Sequence, residues 1–374
     1  MRPPRLQARV IMLVDMDYFF AQCEELRDPA IRGKPVVVCV FSGRSETSGA
    51  VSTANYVARS YGVKSGMPIY SAKRKLENVD AAFFPVDEKY YEDISVRVMN
   101  ILRRYADIFE QAGIDEAFLD VTQKTRGQFQ QAMELANKIK EELKTQLKLT
   151  CSIGIGPNKL VAKIASDERK PDGLTLIEAE QVQEYLSPLN VGRLLGVGNK
   201  TQKKMLSLGI NTVGELARYD TQKLKEVFGK AMSRYFHRVA LGIDDEPVEE
   251  KSEAESFSRI ATLKQDSSDL NFIMETAERL CSEVHSMVVN EKASFKTVGT
   301  IIILKDLSTH TRSRTLENPT NSLEVLKKNI RELFEKFFVE TEGEARRVGV
   351  RVSNLSKEQK SQKQLTSFIQ ESSD

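Results

Sequence analysis

At 374 residues and 42.2 kDa the chain is too long for one ordinary core, so two to four domains of roughly 100–150 residues are expected. Hydrophobic residues at 40% and charged residues at 29% exclude a disordered or membrane-embedded composition, and no run approaches the ~20 apolar residues of a spanning helix. The balance of 55 basic against 53 acidic residues leaves a net charge of +2, which does not by itself announce a nucleic-acid binder, so the placement of charge has to be read instead. The N-terminus lacks the apolar core of a signal peptide, and Cys23, Cys39, Cys151 and Cys281 lie far apart with no CxxC spacing. Reduced, mostly buried thiols in a cytoplasmic protein are the expectation.

In chain order, residues 9–15 (RVIMLVD) are a β-branched apolar run ending in an aspartate, the pattern of a buried strand. A helix is expected over 17–28, a second buried strand over 36–40, and a Ser/Gly-rich loop over 41–49. The stretch AVSTANYVARSYGV reads as a helix ending near Gly62. A turn at Gly66-Met67-Pro68, a helix near 70–77 and a strand near 81–84 follow. Helical spacing of Tyr91, Ile94, Val98, Ile101, Leu102 and Tyr105 marks 87–105. FEQAGIDEAFLDVT reads as two strands meeting at a turn, with Ile114-Asp115-Glu116 at its apex. An amphipathic helix over 127–147, the strand CSIGIG over 151–156 and a helix over 157–170 complete this half. Alternating strands and helices without a GxGxxG or GxxxxGK[ST] fingerprint indicate an α+β fold rather than a dinucleotide or P-loop fold.

From about 178 to 243 the pattern is all-helical with short loops. The acidic stretch 244–255 (DDEPVEEKSEAE) reads as a solvated linker. Beyond it SRIATL, TVGTIIIL, TRSRTLE and RRVGVRVSN are strand-like, with helices near 270–289 and 321–338. Residues 292–351 hold twelve Lys/Arg against eight Asp/Glu. The polar tail from 356 reads as unstructured on its own.

Five patterns carry chemistry. Asp15-Met16-Asp17 ends one apolar strand and Asp115-Glu116 adjoins another. Carboxylates on strand ends can converge on a pair of hard divalent cations, although acids are also ordinary at turns. On a helix through 49–62, Ser52, Tyr56 and Arg59 would share one face among small residues, suiting a triphosphate or simply a polar surface. Leu195-Gly196-Val197-Gly198-Asn199-Lys200 before a helix has the helix-hairpin-helix shape, whose backbone amides can meet a phosphate, or is a plain interhelical turn. Arg312 and Arg314 alternate on one strand, as do Arg347 and Arg351 on another, with Thr311, Ser313, Val348, Val350 and Val352 on the opposite faces. The expectation is an arginine front and an apolar back, suited to lying along phosphates or to solvation. In the tail, Gln362, Leu365, Phe368 and Ile369 have the spacing of a docking peptide, or match it by chance.

Taken together and in this order, DMDYFFAQCE, GKPVVVCV, SGAVSTANYVAR, YGVKSGMPI, GIDEAFLD, CSIGIGPNKLVAKIASD and KPDG resemble the blocks of the Y-family translesion DNA polymerases, in particular the DinB (polymerase IV/kappa-like) branch. The resemblance covers about 1–355, and several linked motifs in register are far more specific than any one. It implies an α+β multidomain right hand: palm from 1–18 and 85–177, fingers 19–84, helical thumb 178–244, linker 245–254, an α/β little finger 255–355 and the tail 356–374. It implies a low-fidelity, template-directed polymerase acting past damaged bases by two-metal nucleotidyl transfer without proofreading. Asp15, Asp115 and Glu116 would hold two Mg²⁺ (or Mn²⁺) with the Met16 carbonyl. Phe20 would be the steric gate against ribonucleotides with Phe19 beside it under the sugar, and Thr53, Tyr56, Arg59 and Lys170 would grip the triphosphate. Gly196, Gly198, Lys200, Arg312, Arg314, Arg347 and Arg351 would contact primer–template DNA. The tail resembles the sliding-clamp-binding peptide of archaeal and eukaryotic proteins, and an archaeal, monomeric protein is expected. Gly113 stands where the family usually has Ser, which weakens any role for a hydroxyl there. A DNA-bound scaffold and a palm-type nucleotidyl cyclase are the rival readings. Against the first stands the intact Asp15/Asp115/Glu116 set; against the second, a duplex-gripping hairpin and sheet.

Overall fold

The computed structural model describes residues 9–250 and 254–357. They fall into two units, one comprising 9–39, 51–67 and 71–250, the other 40–50, 68–70 and 254–357.

The first unit is built on a five-stranded sheet. Its elements, with the end residues 40–41, 49–50 and 69–70 of β2, β3 and α3 falling to the second unit, are β1 (Ile11–Met16), α1 (Phe19–Arg27), β2 (Val36–Phe41), β3 (Gly49–Ala54), α2 (Tyr56–Ser60), α3 (Ile69–Lys75), β4 (Ala82–Pro85), α4 (Glu88–Tyr105), β5 (Ile108–Gln111), β6 (Glu116–Asp120), α5 (Phe129–Leu147), β7 (Cys151–Gly156), α6 (Lys159–Ser166) and β8 (Leu174–Leu176). The main sheet runs β5-β6-β1-β7-β8, with β1 antiparallel to both neighbours. All six β1 residues are buried because both faces of the sheet are covered. Met12, Val14 and Met16 pack with Ile94, Val98, Ala136 and Ile139 of α4 and α5, while Ile11 and Leu13 join Phe118, Ala162 and Val248 on the other face. Each such aliphatic side chain contributes about 1.5–3 kcal/mol by leaving water.

The second face depends on two glycines. A Cβ at Gly154 would run into the Ala162 carbonyl and the Ser166 amide, and one at Gly156 would meet the Val161 side chain. CSIGIG is therefore a strand that lets α6 lie directly against it. The same face is met by 242–250: its acids Asp245, Glu246, Glu249 and Glu250 are exposed, as the solvated-linker expectation has it, but the stretch is also tied to the sheet. Val248 is 3% exposed, Asn158 Nδ2 donates to the Gly242 carbonyl at 2.8 Å, and the Leu160 amide donates to Asp244 at 3.0 Å. Arg9 donates to the carbonyls of Asp244 and Glu246, and the buried Lys159 ammonium joins Glu110 at 2.9 Å to Glu246 at 2.8 Å. The acids are numerous, but they have cations waiting on the sheet edge, and an apolar residue sits between them.

A smaller sheet, β3-β2-β4, pairs β2 with β4 in parallel. Here the helix expected across 49–62 is corrected: 49–54 is strand, and the helix starts only at Tyr56. Asn55 divides them, its Oδ1 accepting from the Ala58 amide at 2.9 Å as an N-cap and from the Val36 amide at 3.1 Å. Ser52 is consequently not on the helical face of Tyr56 and Arg59.

The helical stretch follows as α7 (Val182–Leu186), α8 (Asn199–Ser207), α9 (Val213–Arg218) and α10 (Thr221–Ala240), which breaks at Gly229. Met205, Val213, Leu216, Leu224 and Phe236 form its core with Leu160, Val161 and Ile164 of α6.

The second unit is a βαββαβ arrangement: β9 (Ser256–Ser267), α11 (Leu270–Asn290), β10 (Ala293–Leu304), β11 (Thr309–Thr320), α12 (Leu323–Glu340) and β12 (Ala345–Lys357). Its antiparallel sheet, ordered β11-β10-β12-β9, packs Val298, Ile302, Val348, Val350 and Val352 on the helices through Ile273, Leu280, Phe334 and Phe337. The register corrects the expected arginine front. Thr300 pairs with both Arg312 and Val350, and Val298 with both Arg314 and Val352, so Arg312 and Arg314 share the helix-facing side. Arg314 pairs with Glu332 and donates to Asn329 at 3.0 Å, and Arg312 lies 3.6 Å from Glu340. Of these four arginines, Arg347 and Arg351 lie on the open face. No helix among the described residues is long and apolar enough to cross a membrane. Gln362, Leu365, Phe368 and Ile369 lie outside the described residues.

Candidate active site

The register of β1 on β6 sets Asp15 directly opposite Glu116. Two like charges so placed repel, and a cation between them is required. It is Lys163, whose Nζ lies 3.0 Å from Asp15 Oδ2 and also donates to Glu116 Oε2. Lys163 reaches them because Gly154 seats α6 on the sheet. The turn before β6 is fixed by the Met16 amide, which donates to the Asp115 carbonyl at 2.9 Å. Burial, then Asp15, then Glu116 push the Asp115 carboxyl up to about 6, which places the three acids within electrostatic reach of one another.

Asp17 serves another purpose. It is 1% exposed and accepts from Ser152 Oγ at 2.7 Å, Thr150 Oγ1 at 2.9 Å and the Asp172 amide at 2.8 Å. Lys140 braces the same loop through Asp172 at 2.6 Å and the Cys151 carbonyl at 2.7 Å. The loop carries Lys170, whose Nζ lies 2.9 Å from Asp15 Oδ1 and 2.8 Å from Asp167. Burial acts to lower the Lys170 ammonium, but Asp15 and Asp167 outweigh it and hold it above its ordinary value.

Tyr56 and Arg59 stand on α2, with the guanidinium 4.7 Å over the phenol ring and its Nε donating to the Ala54 carbonyl at 2.8 Å. Burial raises the Tyr56 phenol; Asp17 and Asp15 add to this, while Arg59 and Lys170 oppose it. Those four charges therefore bear on one hydroxyl. Thr53 is the penultimate residue of β3 and half-buried.

Between β1 and α1, Tyr18 takes a left-handed conformation at φ 35° and ψ 46°, unfavourable for a residue with a Cβ and a mark of a constrained site. This reversal aims Phe20, half-buried, onto Tyr91, ring centroids 4.5 Å apart and nearly parallel. Tyr91 is held in turn by donating to Glu24 at 2.7 Å. Phe19 is corrected: at 2% exposure it belongs to the apolar core and offers a nucleotide no surface, its part being to support Phe20 from behind.

In the helical stretch Gly196 has φ +79°, a conformation only glycine adopts freely, and a Cβ there would lie 3.0 Å from the Tyr235 ring. Gly198 caps α8 with no side-chain acceptor and open space around it, and Lys200 stands exposed in the first turn. Helix amides left this way suit an anion. On α10 a groove of about 300 Å³ is lined by Lys225, Lys230, Arg234 and His237. On the second unit's open face Arg351 stands among Thr297, Thr311, Ser313 and Ser353.

Sequence reasoning missed Lys163, Tyr18 and the α10 groove. Lys163 stood in plain view inside KLVAKIASD, but only its fold partners reveal the charge it answers. Among the described residues no three acid, imidazole or thiol groups converge closely enough to enclose a metal as they stand, and ammonium groups meet both Asp15 oxygens and one of Glu116. The donor set of Asp15, Asp115, Glu116 and the adjacent Met16 carbonyl is nevertheless all-oxygen, the chemistry a hard divalent ion requires.

Comparison with known proteins identifies the family. The impB/mucB/samB family model matches residues 14–167 and its C-terminal domain 254–367, while a thumb domain described from DNA polymerase-iota matches 192–244. DNA polymerase IV of Nitrosopumilus maritimus is 44% identical over 97% of this chain and 100% of its own. Among solved structures, a Y-family polymerase chimera, Dbh-Dpo4(243-245)-Dbh, superposes with a TM-score of 0.88 at 37% identity, covering 93% of this chain and 99% of the other. An insertion ternary complex of Dbh DNA polymerase gives a TM-score of 0.68 at 36% identity over 93% and 99%. The chain belongs to the DinB, or DNA polymerase IV, branch of the Y family and is a DNA-directed DNA polymerase of the translesion-synthesis class.

Proposed function

We propose that this polymerase extends a primer by two-metal nucleotidyl transfer, with Asp15, Asp115, Glu116 and the Met16 carbonyl as ligands for Mg²⁺ or Mn²⁺. When bound, the ions would supply Lewis-acid stabilisation of the attacking hydroxyl and the pyrophosphate leaving group. The chain's own groups do the rest. Tyr56, Arg59 and Lys170, with Thr53 beside them, donate to the triphosphate and offset the charge that develops on it. Phe20, backed by Tyr91, forms a plate against the sugar that a 2′-hydroxyl would strike. Palm (1–18, 85–177), fingers (19–84), thumb (178–244) and little finger (255–355) are the corresponding domains. Gly196, Gly198 and Lys200 grip one DNA backbone, with Arg347 and Arg351 on another stretch. Arg312 and Arg314, engaged by α12, contribute less. Synthesis of low fidelity without proofreading is the reading that membership of the Y family supports. We assign Gln362, Leu365, Phe368 and Ile369 to a sliding clamp, and the enzyme acts as a monomer in the cytoplasm.

The observation that carries this reading is the register that sets Asp15 against Glu116, with Asp115, Lys170 and Tyr56 around them. Primer extension with Mg²⁺ and dNTPs on intact and abasic templates tests it. Wild type extends on both, and Asp115→Ala/Glu116→Ala extends on neither while still binding DNA. Extension by the double variant would remove the metal assignment.

A further inference from the structure

The carboxylate pair at the end of β1 and β6 is closed by a side chain that the polymerase reaction has not called on. Lys163 bridges Asp15 Oδ2, at 3.0 Å, and Glu116 Oε2. The second Asp15 oxygen is taken by Lys170 at 2.9 Å. These two ammonium groups stand on the oxygens that a metal would need. Without them, two carboxylates directly opposite on paired strands, and Asp115 next to them, would face one another uncompensated in a largely buried site.

From this geometry we infer that Lys163 is a resident counterion exchanged for the divalent metal: its ammonium holds the Asp15–Glu116 pair together in the metal-free enzyme and withdraws when the metal enters. The inference rests on the metal assignment above. Lys163 is a positioning residue in this scheme. It forms and breaks no covalent bond and keeps its proton, and the exchange is one of cations on the same two oxygens. Its place on α6 suits the task. Ser166, Ala162 and Val161 fix the helix against β7, while the four-carbon stem of Lys163, its side chain 22% exposed, has room to swing toward solvent. Lys159, one turn earlier on α6, shows the contrast. Its side chain is 8% exposed and locked between Glu110 and Glu246, so it cannot act as an exchanging cation.

Two effects fix the sign of the prediction. Removing Lys163 leaves the empty carboxylates repelling, which raises the free energy of the metal-free state, and it removes a positive charge that competes with the ion. Both tighten metal binding. A residue that merely preorganised the ligands would have the opposite effect on being lost.

The test is Mn²⁺ binding to the full chain without DNA or dNTP, followed by electron paramagnetic resonance of the free ion. Lys163→Met binds Mn²⁺ about tenfold more tightly than wild type, the effect of one nearby charge, whereas Lys163→Arg stays close to wild type. Glu116→Gln binds more weakly. Unchanged or weaker binding by a folded Lys163→Met overturns the inference while leaving the metal assignment standing. Binding that Glu116→Gln does not alter overturns both. Should Lys163→Met not fold, acetylation of wild-type Lys163 by an N-hydroxysuccinimide ester, followed by mass spectrometry, decides. Adding Ca²⁺ or Mn²⁺ raises its labelling several-fold if the ammonium is released, and equal labelling with and without metal overturns the exchange.

Discussion

The two large sheets of this chain differ in how many of their faces are covered. The sheet of the first unit is closed on both sides, by α4 and α5 on one and by α6 with residues 242–250 on the other. The sheet of the second unit is closed on one side only, and its other face carries hydroxyls and arginine. The difference decides what each can do. A carboxylate cluster held in a covered sheet is partly out of water, so every neighbouring charge counts, as the elevated Asp115 shows. An open sheet keeps its charge in high dielectric, where single contacts are weak but many together follow a polyanion.

Breaking the cover of the first sheet has the largest expected effect. Gly154→Val drives a side chain into the backbone of α6, and we expect a loss of about 3 kcal/mol or more, seen as a lowered midpoint in urea unfolding. An undisturbed midpoint would mean that α6 is not seated as described. Next is Glu110→Gln, which leaves the buried Lys159 with Glu246 alone. About 3 kcal/mol should be lost, the low end for a broken buried pair, and the same unfolding curve reads it.

Phe20→Ala leaves the cover intact and tests the surface that the first unit presents to a sugar. Discrimination against ribonucleotides should fall on the order of 100-fold in the ratio of kcat/KM values, and unchanged discrimination would remove Phe20 as the gate. The open sheet answers more gently. Arg347→Ala and Arg351→Ala should each reduce the salt slope of primer–template binding by about 1. Arg312→Ala and Arg314→Ala, whose guanidinium groups face α12, should change it less. Equal slopes for all four would mean that the helix-facing pair also reaches DNA.

The pH dependence follows from Asp115. Its folded value of about 6 lies above the ordinary 3.8, so its proton stabilises the metal-free fold at low pH, and that contribution is lost as pH rises through 6. Extension at limiting Mg²⁺ should rise across the same window, and more Mg²⁺ should shift the rise to lower pH because metal and proton compete.

Much of this was legible in the sequence where one local pattern sufficed. RVIMLVD gives a buried strand with an acid at its end, and IDEAFLD gives its partner. Periodicity places α4, α5, α11 and α12 within about two residues at each end. What failed required a partner elsewhere in the chain. Alternation told which arginines share a strand face, but which face of β11 matches which face of β12 is set by their common pairing with β10. Residues 244–250 are largely solvated, as their composition suggests, but their anchoring was not legible because Arg9, Lys159 and the pocket for Val248 come from distant segments. AVSTANYVAR misled for a local reason: its small residues mimic a helix, while Val51, Ser52 and Thr53 favour a strand and Asn55 is the cap that ends it. Phe19 and Phe20 are chemically identical neighbours, and only the direction set by Tyr18 decides which is buried.

The most direct test of the account is single-turnover incorporation of one dNTP on pre-bound primer–template, comparing wild type with Asp115→Asn. The Kd for DNA should stay unchanged and the rate should fall on the order of 1000-fold, about 4 kcal/mol of transition-state stabilisation. A near-normal rate with DNA affinity intact would contradict the central claim that the covered sheet holds the chemistry.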